Sequence, residues 1–170
     1  RRCQGSGLAI FHRALFPPGA VPACGPTTAL TVSLAGSHQD AAINVAGYFR
    51  AELGIGEAAR LLLAGLDAVD LPYQTVSCTE TVSRQDHPFQ ERAGEAAPTD
   101  INIVCVNADQ TPAFANKMGP DFFRGRYTIG LWFWEVEEFP AAFWTGFDFV
   151  DEICVATEFV RKAVGKVSPK

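Results

Sequence analysis

The chain of 170 residues is short of histidine, of charge and of uninterrupted apolar runs, and each shortage removes a class of protein. His12, His38 and His87 stand singly, and the five cysteines (3, 24, 78, 105 and 154) include no Cys-x-x-Cys pair. Neither set has zinc-ligand spacing, so no metal is expected. The longest stretch free of Asp, Glu, Lys and Arg, Ala14 to Gln39, is broken by Pro17, Pro18, Pro22 and Pro26. A spanning helix needs about 20 mostly apolar residues, so no transmembrane segment is expected. Arg1-Arg2 ahead of Leu8-Ala9-Ile10-Phe11 has the outline of a signal peptide, but His12 and Arg13 interrupt its apolar centre. Positive charge is scarce too. A net charge of −5 argues against binding driven by phosphate neutralisation, and no nucleic-acid partner is expected.

What is present is the makeup of a folded domain. Apolar residues form 48% and aromatics 11% of the chain, and a chain this long can bury roughly 70% of its unfolded surface. Cys105 and Cys154 lie in apolar runs, where thiols behave as small buried hydrophobes. With an odd number of cysteines, reduced thiols and a cytoplasmic setting are the expectation. Residues 1–40 mix Pro, Gly, Ser and Thr without periodicity and read as a flexible, weakly basic arm that could lie against the inner face of a membrane. Residues 41–170 are the expected domain. The chain opens on Arg1 rather than Met and stops at Lys170 just past a helical pattern, which suggests a piece of something longer.

Along that domain, strand and helix patterns alternate. Ile43–Gly47, Leu71–Val76, Ile101–Val106, Tyr127–Trp134 and Glu152–Ala156 read as strands. Gly56–Val69 carries Ala58, Leu61, Leu62 and Leu66 at helical spacing, and Thr111–Met118, Pro140–Phe149 and Glu158–Val164 suit shorter helices. Residues 77–99 read as a long polar connection. Near-continuous apolar strands separated by helices predict an α/β fold, a Rossmann-like parallel sheet with helices on both faces.

In such sheets ligands sit beyond the carboxyl ends of the strands. After the first strand, Gly54-Ile55-Gly56-Glu57 opens a helix whose N-terminus suits a phosphate; equally, it suits a glycine-rich turn with Glu57 on the helix dipole. Gly54-x-Gly56-x-x-Ala59 fits a dinucleotide fingerprint, but it stands several residues past its strand, and the second strand, ending near Ser77, offers no acidic ribose ligand. Nicotinamide or flavin binding is set aside. After the central strand come Asn107, Asp109 and Gln110, candidates for ligand contact or for turn chemistry, with Asp109 or Thr111 as helix cap. Trp134, at the end of the aromatic strand, and Glu135 after it suit a sugar ring and its hydroxyls, or a core ring beside a solvated acidic turn. Glu135 is the one weak catalytic candidate. Thr157 and Glu158 close the series, with Thr157 most simply an N-cap.

Three ordered segments, INVAGYFRAELGIGEAARLL (43–62), YTIGLWFWEVEEFP (127–140) and DEICVATEFVRKAV (151–164), resemble the N-terminal domain of retaining glycosyltransferases of family 4, which have the two-domain GT-B architecture. The resemblance covers about residues 42–167. It implies sugar transfer from a nucleotide-sugar donor to a glycan or lipid-linked acceptor, with no further cofactor. In that family the N-terminal domain largely receives the acceptor, and its glycine loop, here Gly54-Ile55-Gly56, approaches the donor. A C-terminal Rossmann domain, carrying a spaced glutamate pair, binds the nucleotide. That domain has no counterpart here, so the chain is expected to be an acceptor-side half, inactive alone. The histidine many relatives place in this crevice also has no counterpart, since the region offers Trp134-Glu135. The alternative is a non-catalytic module that binds a sugar or a phosphate.

Overall fold

A computed structural model describes residues 43–93 and 99–170. The arm expected over residues 1–40, with Cys3, Cys24, His12 and His38, lies outside the described residues. Five strands, β1 (Ile43–Gly47), β2 (Tyr73–Ser77), β3 (Ile101–Cys105), β4 (Tyr127–Trp132) and β5 (Glu152–Val155), form one sheet in the order β2-β1-β3-β4-β5. Every pairing is parallel.

Alternation along each strand sorts the side chains into two layers. Val45, Cys105 and Leu131 face α1 (Gly54–Ala68), which buries Ala59, Leu63 and Leu66 against them. Ala46, Val104 and Val106 point the other way, onto Phe114 of α2 (Thr111–Met118) and Phe122 of α3 (Pro120–Phe123). On that same side Trp132 meets Phe147 of a 3-10 helix (Ala141–Phe149) and Val160 and Val164 of α4 (Glu158–Gly165). The predicted α/β sheet with helices on both faces is therefore the fold. Among the described residues of the β2–β3 connection there is no helix, and residues 78–93 run irregularly.

The buried stripe of α1 is Gly56, Ala59, Leu63 and Leu66, while Leu61, expected on the apolar face, is 63% exposed. A run of consecutive leucines fits two neighbouring stripes, and helix packing chose one of them. The aromatic strand ends at Trp132 rather than Trp134, and the helix expected over 140–149 is of the 3-10 type. There Gly146 approaches Ala108 so closely that a Cβ would sit 2.7 Å from the Ala108 carbonyl oxygen.

Register is fixed by polar groups inside the sheet. Asn44 pairs across the ladder with Gln74 and Asn102, and Asn102 with Thr128. The Gln74 amide donates to Asn44 Oδ1, and Asn44 Nδ2 donates to Asn102 Oδ1 and Thr99 Oγ1, both at 2.8 Å. Asn102 Nδ2 donates onward to Thr128 Oγ1 at 3.2 Å and to the Phe122 carbonyl at 3.0 Å. Slipping any strand by one residue would turn these amides into the apolar layer under α1.

Candidate functional site

The strand order reverses between β1 and β3: the chain leaves β1 for β2 on one side, while β4 and β5 extend the sheet on the other. Loops leaving β1 and β3 at their carboxyl ends diverge there, and the divergence opens a crevice. A cleft of about 460 Å³ occupies that position. Leu53 lines it from the β1–α1 loop, Ile55 from the first turn of α1, and Asn107, Asp109 and Gln110 from the β3–α2 loop. Tyr48, Glu80 and Thr81 complete the polar part of its wall.

The β1–α1 loop is held from within. Arg60, on the second turn of α1, donates through Nη1 to the carbonyl oxygens of Phe49 (2.9 Å) and Ala51 (3.4 Å) and through Nε and Nη2 to Glu57 (2.9 and 2.7 Å). Glu57 thus aligns an arginine that grips the loop. From the other side, the Glu52 amide donates to the Arg84 carbonyl and the His87 amide to the Arg50 carbonyl. Phe89 stacks on Phe49 at 4.5 Å between ring centroids. The irregular connection after β2 is thereby zipped to the loop after β1.

The two glycines at the start of α1 have different duties. A Cβ on Gly56 would lie 2.6 Å from the Tyr48 carbonyl oxygen and 2.9 Å from that of Ala51. Its bareness lets the loop fold onto the helix, and no room remains there for a ligand. A Cβ on Gly54 would meet nothing within 4 Å. Leu53 precedes the helix in an extended conformation with no side-chain cap, and the first helical bond runs from the Glu57 amide to the Leu53 carbonyl. The amides of Gly54, Ile55 and Gly56 precede that bond and are the orphan donors of a helix N-terminus.

On the opposite wall, Asn107 Oδ1 accepts the Phe133 amide at 2.9 Å, and the Asn107 carbonyl accepts the Gln110 and Thr111 amides, both at 2.9 Å. Asn107 therefore ties the exits of β3 and β4 and shapes the turn into α2. Neither Asp109 nor Thr111 caps that helix. Gln110 holds the cap position without a side-chain bond to the helix, while Thr111, 1% exposed, donates its hydroxyl to the Val106 and Asn107 carbonyls. Asp109 is exposed and accepts from Gln110 Nε2 at 3.1 Å.

The remaining candidates share this end of the sheet but do not line the cleft. Trp134 donates its indole N–H to the Glu138 carbonyl at 2.8 Å and packs edge-on against Phe139 and Phe143. Glu135 is exposed. Thr157 Oγ1 accepts the Val160 amide at 3.2 Å as the N-cap of α4, and Glu158 holds Arg161 in a two-pronged pair, both contacts 2.6 Å. Trp132 is buried, its indole lying over Gly130.

Tyr48 and Glu80 were not readable as site residues. Tyr48 stands one residue past β1 and is 7% exposed, with burial first and then the charges of Cys78, Asp109 and Glu80 raising its phenol to about 12. Glu80 comes three residues past β2, inside a polar stretch with no pattern, and pairs with Lys117 of α2. That hydrogen bond holds its carboxyl below the usual range. A larger cavity, about 680 Å³, opens at the opposite, amino ends of β4 and β5 beside Thr128 and Asp151 and includes none of the candidate residues. Among the described residues no three His, Cys, Asp or Glu side chains converge as a metal site, and no helix is long and apolar enough to cross a membrane. Compared with protein-family models, curated proteins and solved structures, the chain matches none, and what the site can do follows from its own geometry.

Proposed function

We propose that the chain is the acceptor-side half of a retaining, nucleotide-sugar-dependent glycosyltransferase of two-domain, GT-B-like architecture. The observation that carries this reading is a juxtaposition at one end of the sheet. The uncapped start of α1, with open space at Gly54, adjoins a cleft lined by Tyr48, Asp109 and Gln110. Helix N-terminal amides suit a donor phosphate, and hydroxyl, carboxylate and amide side chains suit sugar hydroxyls. The three family-like segments supply β1 with α1, β4 with the turn after it, and β5 with α4. A partner Rossmann domain would bring the nucleotide and the remaining catalytic groups, with transfer taking place in the cytoplasm or at the inner membrane face.

The second reading, a binding module without chemistry, draws on Glu135, which stands exposed and outside the cleft. With it excluded, the cleft walls hold no two carboxylates free of a cation, since Glu80 is paired with Lys117. The test is donor turnover by the full product of the gene. Release of nucleoside diphosphate that depends on an added glycan acceptor supports the transferase; sugar binding without release supports the module.

A further inference from the structure

Charge inside the crevice bears on what kind of acceptor it admits. Of the charged residues lining the cleft, Glu80 and Asp109 are both acidic, and neither Lys nor Arg lines it. Lys117 answers Glu80 from outside, which leaves Asp109 to set the sign. Tyr48, on which both carboxylates act, is 7% exposed with its ring buried among Ala46, Val104 and Phe114. Among the described residues its hydroxyl has no hydrogen-bond partner, yet it lines the cleft. The ring is buried, but the hydroxyl tip still meets solvent at the cleft and is free to donate to a ligand there. Its proton is secure at neutral pH, because burial and the neighbouring negative charges oppose the phenolate.

We propose that this cleft is a subsite for an uncharged sugar ring, in which Tyr48 donates to one ring hydroxyl, Asp109 accepts from another, and the uncompensated negative charge turns away phosphorylated or carboxylated sugars. Leu53 and Ile55 give the apolar floor against which the C–H face of a ring packs. The inference rests on the glycosyltransferase reading and narrows it: the acceptor's reacting sugar is neutral, and any phosphate belongs at Gly54 rather than in the cleft. A phosphate brought against the Asp109 carboxylate meets like charge, which separates the two ligand classes without any steric difference.

The experiment compares methyl α-glucoside with glucose 6-phosphate by saturation-transfer NMR on the chain as it stands, in the wild type and in Tyr48→Phe and Asp109→Asn. The glucoside should bind at least about tenfold more tightly than the phosphate. Tyr48→Phe, which keeps the buried ring, should weaken the glucoside about five- to tenfold and leave the charge discrimination intact. Asp109→Asn should shrink the discrimination. Equal or tighter binding of glucose 6-phosphate, or glucoside affinity indifferent to Tyr48→Phe, overturns the subsite. Donor turnover by the full gene product, measured alongside, separates the two claims. Turnover with a phosphorylated acceptor preferred overturns the subsite alone, and Tyr48-dependent glucoside binding without turnover upholds it while overturning the transferase.

Discussion

Gly54 and Gly56 look alike in the sequence and answer to different forces. Gly56→Ala drives a methyl into two carbonyl oxygens, so urea unfolding should show a loss of about 1–3 kcal/mol. Gly54→Ala meets open space and should leave stability unchanged or raise it slightly, about 0.5 kcal/mol, by restricting the unfolded chain. Trp134 belongs with the first kind. Its ring packs on Phe139 and Phe143 and its N–H closes the turn to Glu138, so Trp134→Ala should cost about 2 kcal/mol in the same measurement. The thiols of Cys78 and Cys105, each pushed up by burial to about 12 from 9.0, stay protonated in the folded chain where the unfolded chain ionises. Between pH 9 and 12 the unfolded state therefore binds fewer protons, and stability should fall as pH rises through that window. Unfolding midpoints at pH 8 and pH 10 check the sign: a midpoint higher at pH 10 would contradict it.

At the scale of elements, two polar devices keep the apolar layers aligned. The Gln74–Asn44–Asn102–Thr128 chain sets register across four strands, and Asn102, fully buried, is its hub. Replacing Asn102 with Leu takes one acceptor from Asn44 and the amide donor from Thr128, while Thr99 still accepts from Asn44 and Arg126 still donates to the Phe122 carbonyl, for an expected loss of about 1–3 kcal/mol. Arg60 does for the β1–α1 loop what the asparagines do for the sheet; Arg60→Ala should speed amide exchange across residues 49–53 with a smaller change in global stability. Neither device is legible in the sequence. Strand positions and the parallel sheet are readable because long apolar runs between helical patterns leave few alternatives, and the pattern over Thr111–Met118 has the bounds of α2. Hydrogen bonds between Asn44 and Asn102, 58 residues apart, have no local signature. The same holds for Glu80 and Tyr48, which reach the cleft through the crossing of strands rather than through spacing. That Asn107, Asp109 and Gln110 stand at a strand exit is readable from the apolar run before them; that Asn107 spends its side-chain oxygen on Phe133 is not.

For the whole molecule, one end of the sheet concentrates an open helix N-terminus and an acidic, hydroxyl-bearing cleft at the point where strand order reverses. A two-domain transferase would use both at once, the helix end for donor phosphate and the cleft for the acceptor ring. The most direct measurement is nucleoside diphosphate release by the full gene product from a panel of uridine, guanosine and adenosine diphosphate sugars, in the wild type and in Gly54→Val. The account predicts acceptor-dependent release in the wild type and a rise of about tenfold or more in donor KM for Gly54→Val at an unchanged melting temperature. No release from any donor, or release indifferent to Gly54→Val, would contradict it.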